Sequence, residues 1–101
     1  MNNGKVKSMS IKELREKHNG KLYIYCKDQD IEQRFLCDAE AEGFMFGNQK
    51  PTENHAANII AVEDDMKLAH VGAIGRMAYQ SGACVRIDYS KYISGAEDYI
   101  I

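Results

Sequence analysis

The apolar residues follow two periods, and the period switches at glycines. Over residues 21–26 it is two. Leu22, Ile24 and Cys26 share one side, while Tyr23 and Tyr25 share the other. Such alternation is that of a β-strand, and two faces this weakly polar predict an inner strand of a sheet. Ser10 and Glu13 upstream form a capping box, with Ile11 and Leu14 as a short apolar stripe that Asn19-Gly20 ends. This is a short N-terminal helix with little to bury. Downstream, Asp28 or Asp30 caps a second helix over residues 31–42, stopped by Gly43. At 100° per residue, Ile31, Phe35, Leu36 and Ala39 make one apolar arc that suits a sheet face. Glu32 falls inside that arc.

Phe44-Met45-Phe46 reads as a short strand, and GNQKPTEN (47–54) is the clearest loop, since glycine, asparagine and the only proline fall together there. A hairpin follows, with strands over 58–62 and 67–72 joined through Glu63-Asp64-Asp65-Met66. That tip lacks Asn-Gly, so a connection longer than two residues is expected. Residues 73–80 fit one or two helical turns or a glycine-marked bend. Residues 84–89 alternate once more, with Val85, Ile87 and Tyr89 opposite Arg86 and Asp88. The expected fold is a single α+β domain over 1–101: a small antiparallel-rich sheet with one main helix packed on a face and a short N-terminal helix. Residues 1–9 are expected to be a flexible segment. Residues 90–101 are too apolar for a free end and are expected to dock, on this chain or on a second copy in a homo-oligomer.

Composition narrows the function classes. The chain has 101 residues, enough for one core, and its 13 basic and 15 acidic residues exclude a generic polyanion binder. No apolar run is long enough for a membrane span, and the opening MNNGKVKS lacks the apolar stretch of a signal peptide, so a cytoplasmic protein is expected. Met9 is as plausible a start as Met1. Cys26, Cys37 and Cys84 are odd in number and widely spaced, which fits reduced thiols and neither a disulfide framework nor a zinc site.

The charge is unevenly distributed. Residues 28–42 carry Asp28, Asp30, Glu32, Asp38, Glu40 and Glu42 against Arg34 alone, and the hairpin tip adds Glu63, Asp64 and Asp65. Nine carboxylates in two runs suit a surface that docks a basic partner. The Asp28-x-Asp30-x-Glu32 run is not a calcium loop, because Gln33 replaces the required glycine and Ala39 the closing glutamate. Gly72-Ala-Ile-Gly75-Arg76 is neither a P-loop nor a dinucleotide fingerprint. No nucleophile, acid–base pair, metal set or cofactor site stands out, so a non-enzymatic protein is expected. A second binding set is Phe46, Lys50, Thr52, His55, Arg76 and Arg86, whose cations and rings suit a phosphate and a stacked base.

The run KLYIYCKDQDIEQRFLCDAEAEGFMFGNQKPTENH, with IIAVEDDMKLAHVG and VRIDYSKYISGAEDYI, resembles small accessory proteins from phages and mobile elements of low-GC Gram-positive bacteria over residues 20–101. That resemblance implies an anti-defence setting in the host cytoplasm. Proteins of this kind include anti-CRISPR inhibitors and anti-Thoeris sponges that sequester nucleotide second messengers. The leading expectation is therefore an inhibitor that binds a host defence protein, such as a nucleic-acid-guided nuclease, through the acidic surface. The alternative is an oligomeric sponge for a small nucleotide ligand, using the second set.

Overall fold

A computed structural model describes residues 10–54, 58–82 and 84–101. In chain order the elements are α1 (Ile11–Lys17), β1 (Leu22–Tyr25), α2 (Gln29–Glu42), β2 (Met45–Phe46), a 3-10 turn (Pro51–Glu53), β3 (Ile59–Glu63), β4 (Lys67–His70), α3 (Ala73–Ser81), β5 (Val85–Asp88) and α4 (Tyr89–Ser94). The five strands form one sheet in the order β2-β4-β3-β1-β5. The result is an α+β fold, as the periodicity predicts.

The sheet is mixed. β3 runs antiparallel to β1 and β4, whereas β1 pairs with β5, and β2 with β4, in parallel. Two helical crossovers cause this, β1–α2–β2 and β4–α3–β5. They travel in opposite directions across the sheet, so the right-handed rule for such connections puts their helices on opposite faces. The helices are accordingly not confined to one face. Residues 73–80 resolve as helix, which Gly82 ends in the left-handed region at φ 78°.

Register sorts the side chains into rows. Phe46, Leu68, Val62, Leu22 and Val85 face one side across all five strands, with Ile60, Ile24 and Ile87 in the next row. This side is the main core. There Phe35, Leu36 and Ala39 of α2, Ile11 and Leu14 of α1, and Tyr89 and Tyr92 of α4 are buried against the sheet. The opposite side carries the row Ala69, Ala61, Tyr23, Arg86, and there α3 lies with Tyr79 stacked on Tyr23 at 6.3 Å.

Three local expectations change. Asp28 alone caps α2, its carboxylate accepting from the Ile31 amide, so the helix starts at Gln29 and the Asp30–Gln33 box does not form. Tyr89 leaves the strand alternation to open α4, because Asp88 accepts from the Ser90 and Lys91 amides and turns the chain. The segment after α4 docks on its own chain. Ile100 bridges Ile87, with Asp88 N–H donating to Tyr99 O and Ile101 N–H to Arg86 O, both at 2.8 Å. It covers an otherwise open sheet edge. The expected flexible segment 1–9 lies outside the described residues. Among those residues, no helix is long and apolar enough to cross a membrane.

α1 is only seven residues long and needs outside support. Arg15 supplies it at the carboxyl end. Its guanidinium donates to Val62 O at 2.8 Å and to His18 O and Gly20 O at 2.6 Å each, joining α1, the following turn and β3. Lysine has no planar fork to repeat this. Arg15→Lys is expected to cost about 2 kcal/mol, the scale of one or two charge-assisted hydrogen bonds, read as a lower urea midpoint at unchanged slope.

His18, which follows α1, keeps its Nε2 buried and without a partner among the described residues. Burial first, then the Lys17 and Arg15 charges, lowers its pKa. Because the folded value lies below the unfolded one of about 6.5, the stability conferred by neutral His18 is complete above that pH. It declines as pH falls from there toward the folded pKa. His18→Gln is expected to reduce this loss, measured as the urea midpoint between about pH 7.5 and pH 5.

Candidate functional site

The acidic residues do not form one surface. β1 pairs with β3 so that Leu22 meets Val62, which sets the hairpin tip at the amino end of β1. Asp28, Asp30 and Glu32 follow the carboxyl end of β1. The 14 residues of α2 therefore separate the two groups, about 21 Å of helix at 1.5 Å per residue.

Several of these carboxylates are already committed. Glu42 accepts from the Ile11 and Lys12 amides at 2.8 and 2.9 Å and caps α1 from the neighbouring helix. Asp38 takes the Arg34 guanidinium at 3.0 Å and the buried Tyr89 hydroxyl at 2.6 Å. Burial, and then that hydrogen bond, pushes the Tyr89 pKa up. Glu40 holds the Thr52 hydroxyl and amide, and these two bonds lower its pKa. Asp64 leans toward Arg15 at 4.0 Å. Spacing along the chain carried no sign of these engagements, since their partners come from elsewhere in the fold.

What remains is an acidic end. Asp28, Asp30 and Glu32 occupy the cap and first turn of α2, where negative charge also favours the helix dipole. Asp88, which the sequence reading did not select, joins them at the carboxyl ends of the parallel strands β1 and β5. Cys26 registers this grouping. Its buried thiol is pushed up to about 12, by burial first and then by Glu32, Asp28 and Asp88 in turn. None of these four carboxylates is in an ion pair among the described residues.

The second predicted set also disperses. Phe46, Lys50 and Thr52 lie on or after edge strand β2, while Arg86 lies on the opposite edge, β5. Four strand spacings separate the edges, about 19 Å. Phe46 is buried and stacks on His70 at 4.8 Å. Thr52 is occupied by Glu40, and Arg76 is exposed on α3. Arg86 lies 5.4 Å from the centre of the Tyr79 ring and donates to Tyr79 O. His55 lies outside the described residues.

A groove of 710 Å³ opens on the second sheet face, and it involves neither Phe46, Lys50, Thr52, Arg76 nor Arg86. Its floor is Tyr23, Ala61 and Ala69. Gly72 and Gly75 of α3 line one part, and Asn19, Lys21, Glu63 and Asp64 another. The volume falls within the roughly 300–1,000 Å³ of small-molecule sites. Gly75 permits the close approach of α3, since a Cβ there would lie 2.9 Å from Val71 Cγ1 and 3.4 Å from the Tyr23 hydroxyl. The sequence signal was the pair of alanines at equivalent positions in the two hairpin strands, next to a tyrosine.

Glu42→Ala is expected to release the α1 amides at a cost of about 1 kcal/mol, as for other N-cap losses. Faster hydrogen exchange at Ile11 and Lys12 would report it, while a silent exchange profile would refute the cap. Comparison with protein-family models, curated proteins and solved structures finds no match for this chain.

Proposed function

We propose that the chain is a non-enzymatic anti-defence protein of phage or mobile-element origin, which binds and inhibits a host nucleic-acid-guided nuclease. The resemblance of residues 20–101 supplies the setting, and the acidic end supplies the surface. One observation carries the reading: Asp28, Asp30 and Glu32 project from a single helix start, and Arg34, the only cation on α2, is held by Asp38. Their charge is not cancelled by an ion pair among the described residues.

A nucleic-acid groove on a nuclease is lined with lysine and arginine. An acidic helix end speeds encounter with it and occupies the site that phosphates would take. Asp38, Glu40 and Glu42 serve the fold in this reading, and Glu63, Asp64 and Asp65 lie too far away to share the contact.

The test is DNA cleavage by purified RNA-guided nucleases in the presence of the full chain. Inhibition that weakens with added salt is expected. The triple variant Asp28→Asn, Asp30→Asn, Glu32→Gln keeps a capping side chain at position 28. It is expected to weaken inhibition by about tenfold to a hundredfold, on the order of 1 kcal/mol for each lost charge contact. Undiminished inhibition by that variant rules out the acidic end. No inhibition of any nuclease tested rules out the target class.

A further inference from the structure

The groove on the second face combines two unmet sets of hydrogen-bond donors. α3 starts at Gly72, which has no side chain to cap it, so the first-turn amides of Ala73, Ile74 and Gly75 have no acceptor among the described residues. Such amides, with the positive end of the helix dipole, favour an anion. Beside them lies the hydroxyl of Tyr23. This residue is 6% exposed, lines the groove and has no hydrogen-bond partner among the described residues. The 3.4 Å between that oxygen and the site of a Gly75 Cβ fixes it at the first turn of α3. A buried tyrosine usually finds a partner for its hydroxyl.

We propose that this corner binds the phosphate group of a small phosphorylated molecule, with the α3 amides and the Tyr23 hydroxyl as donors. The rest of the groove limits the class of ligand. Glu63 pairs with Lys67, and α3 begins beyond His70 at the other end of β4. Its carboxylate and that of Asp64 are thus set apart from the helix start, by about 10 Å along the strand. They disfavour a polyphosphate running the length of the groove and suit hydroxyl or amino groups. Ala61, Ala69 and Tyr23 leave an apolar floor between the two ends. A molecule the size of a nucleoside monophosphate fits this order of chemistry. No residue of the acidic end takes part, and the two proposals stand or fall separately.

The test is an NMR titration of the full chain with inorganic phosphate and with adenosine monophosphate, against sodium chloride at matched ionic strength. Saturable shifts are expected at the Ala73, Ile74 and Gly75 amides, with the monophosphate binding more tightly than phosphate alone. Two variants remove one donor each. Ala73→Pro deletes an amide at the first helical position, where proline is tolerated and Gly72 is already extended at ψ −168°. Tyr23→Phe removes only the hydroxyl. Each is expected to weaken binding by about tenfold, the scale of one hydrogen bond to a charged group. Equal shifts with chloride, or parent-like titration of both variants, would overturn the site. Phosphate binding with no gain from the nucleoside would overturn the ligand class.

Discussion

Three carbonyl groups from three segments converge on the guanidinium of Arg15, and much of the molecule depends on that convergence. His18 O ends α1, Gly20 O belongs to the turn, and Val62 O lies in β3 beside Leu22. A planar donor satisfies all three only when β1 starts at one register against β3. With period-two side chains, a slip by one residue would send Leu22 and Ile24 to the α3 face and Tyr23 and Tyr25 into the core. The opposite end of α1 is held by charge as well, through the Glu42 carboxylate on its first amides. A helix of two turns is thus pinned by an acid at its amino end and by its own arginine at its carboxyl end. Each charge meets the end of the dipole that it complements.

The periodicities made the elements legible. Leu22, Ile24 and Cys26 marked β1, and Phe35, Leu36 and Ala39 marked the buried stripe of α2, because burial on one side leaves a repeat in the chain. Direction and face were less legible. Nothing local in residues 73–80 distinguishes a bend from a crossover helix; the strands it joins decide that. The acidic candidates show the same limit from the side of function. Glu42, Asp38 and Asp30 look alike in sequence. Yet Glu42 bonds a residue 31 positions away and Asp38 one 51 positions away, whereas Asp30 has no ion-pair partner among the described residues. Whether a carboxylate is spent on the fold is a property of tertiary contacts.

The two faces of the sheet are built to different standards of packing. Large aliphatic and aromatic side chains from three helices fill the main core. On the other face a nine-residue helix with Gly75 turned toward Tyr23 is the main cover, and Ala61 and Ala69 leave the floor low beside it. Two changes of alanine to valine would be unremarkable for a strand and would reduce this space. The second layer therefore carries a vacancy that strand propensity does not require.

The start of α3 bears on why that vacancy lies where it does. Serine or aspartate at position 72 would cap the helix and gain only a few tenths of a kcal/mol over glycine. Such a side chain would also occupy the amides from within. Glycine leaves them open at almost no cost to stability. Gly75 then lets the same turn descend onto the sheet until it meets the Tyr23 hydroxyl, a contact that any Cβ at this position would crowd. An uncapped helix end in open solvent is satisfied by water and needs no explanation. Here the donors face a concave wall beside a buried hydroxyl, so water and an anion compete for the same place. Fixed donors favour the anion, because their orientation is settled by folding and binding does not have to arrange them.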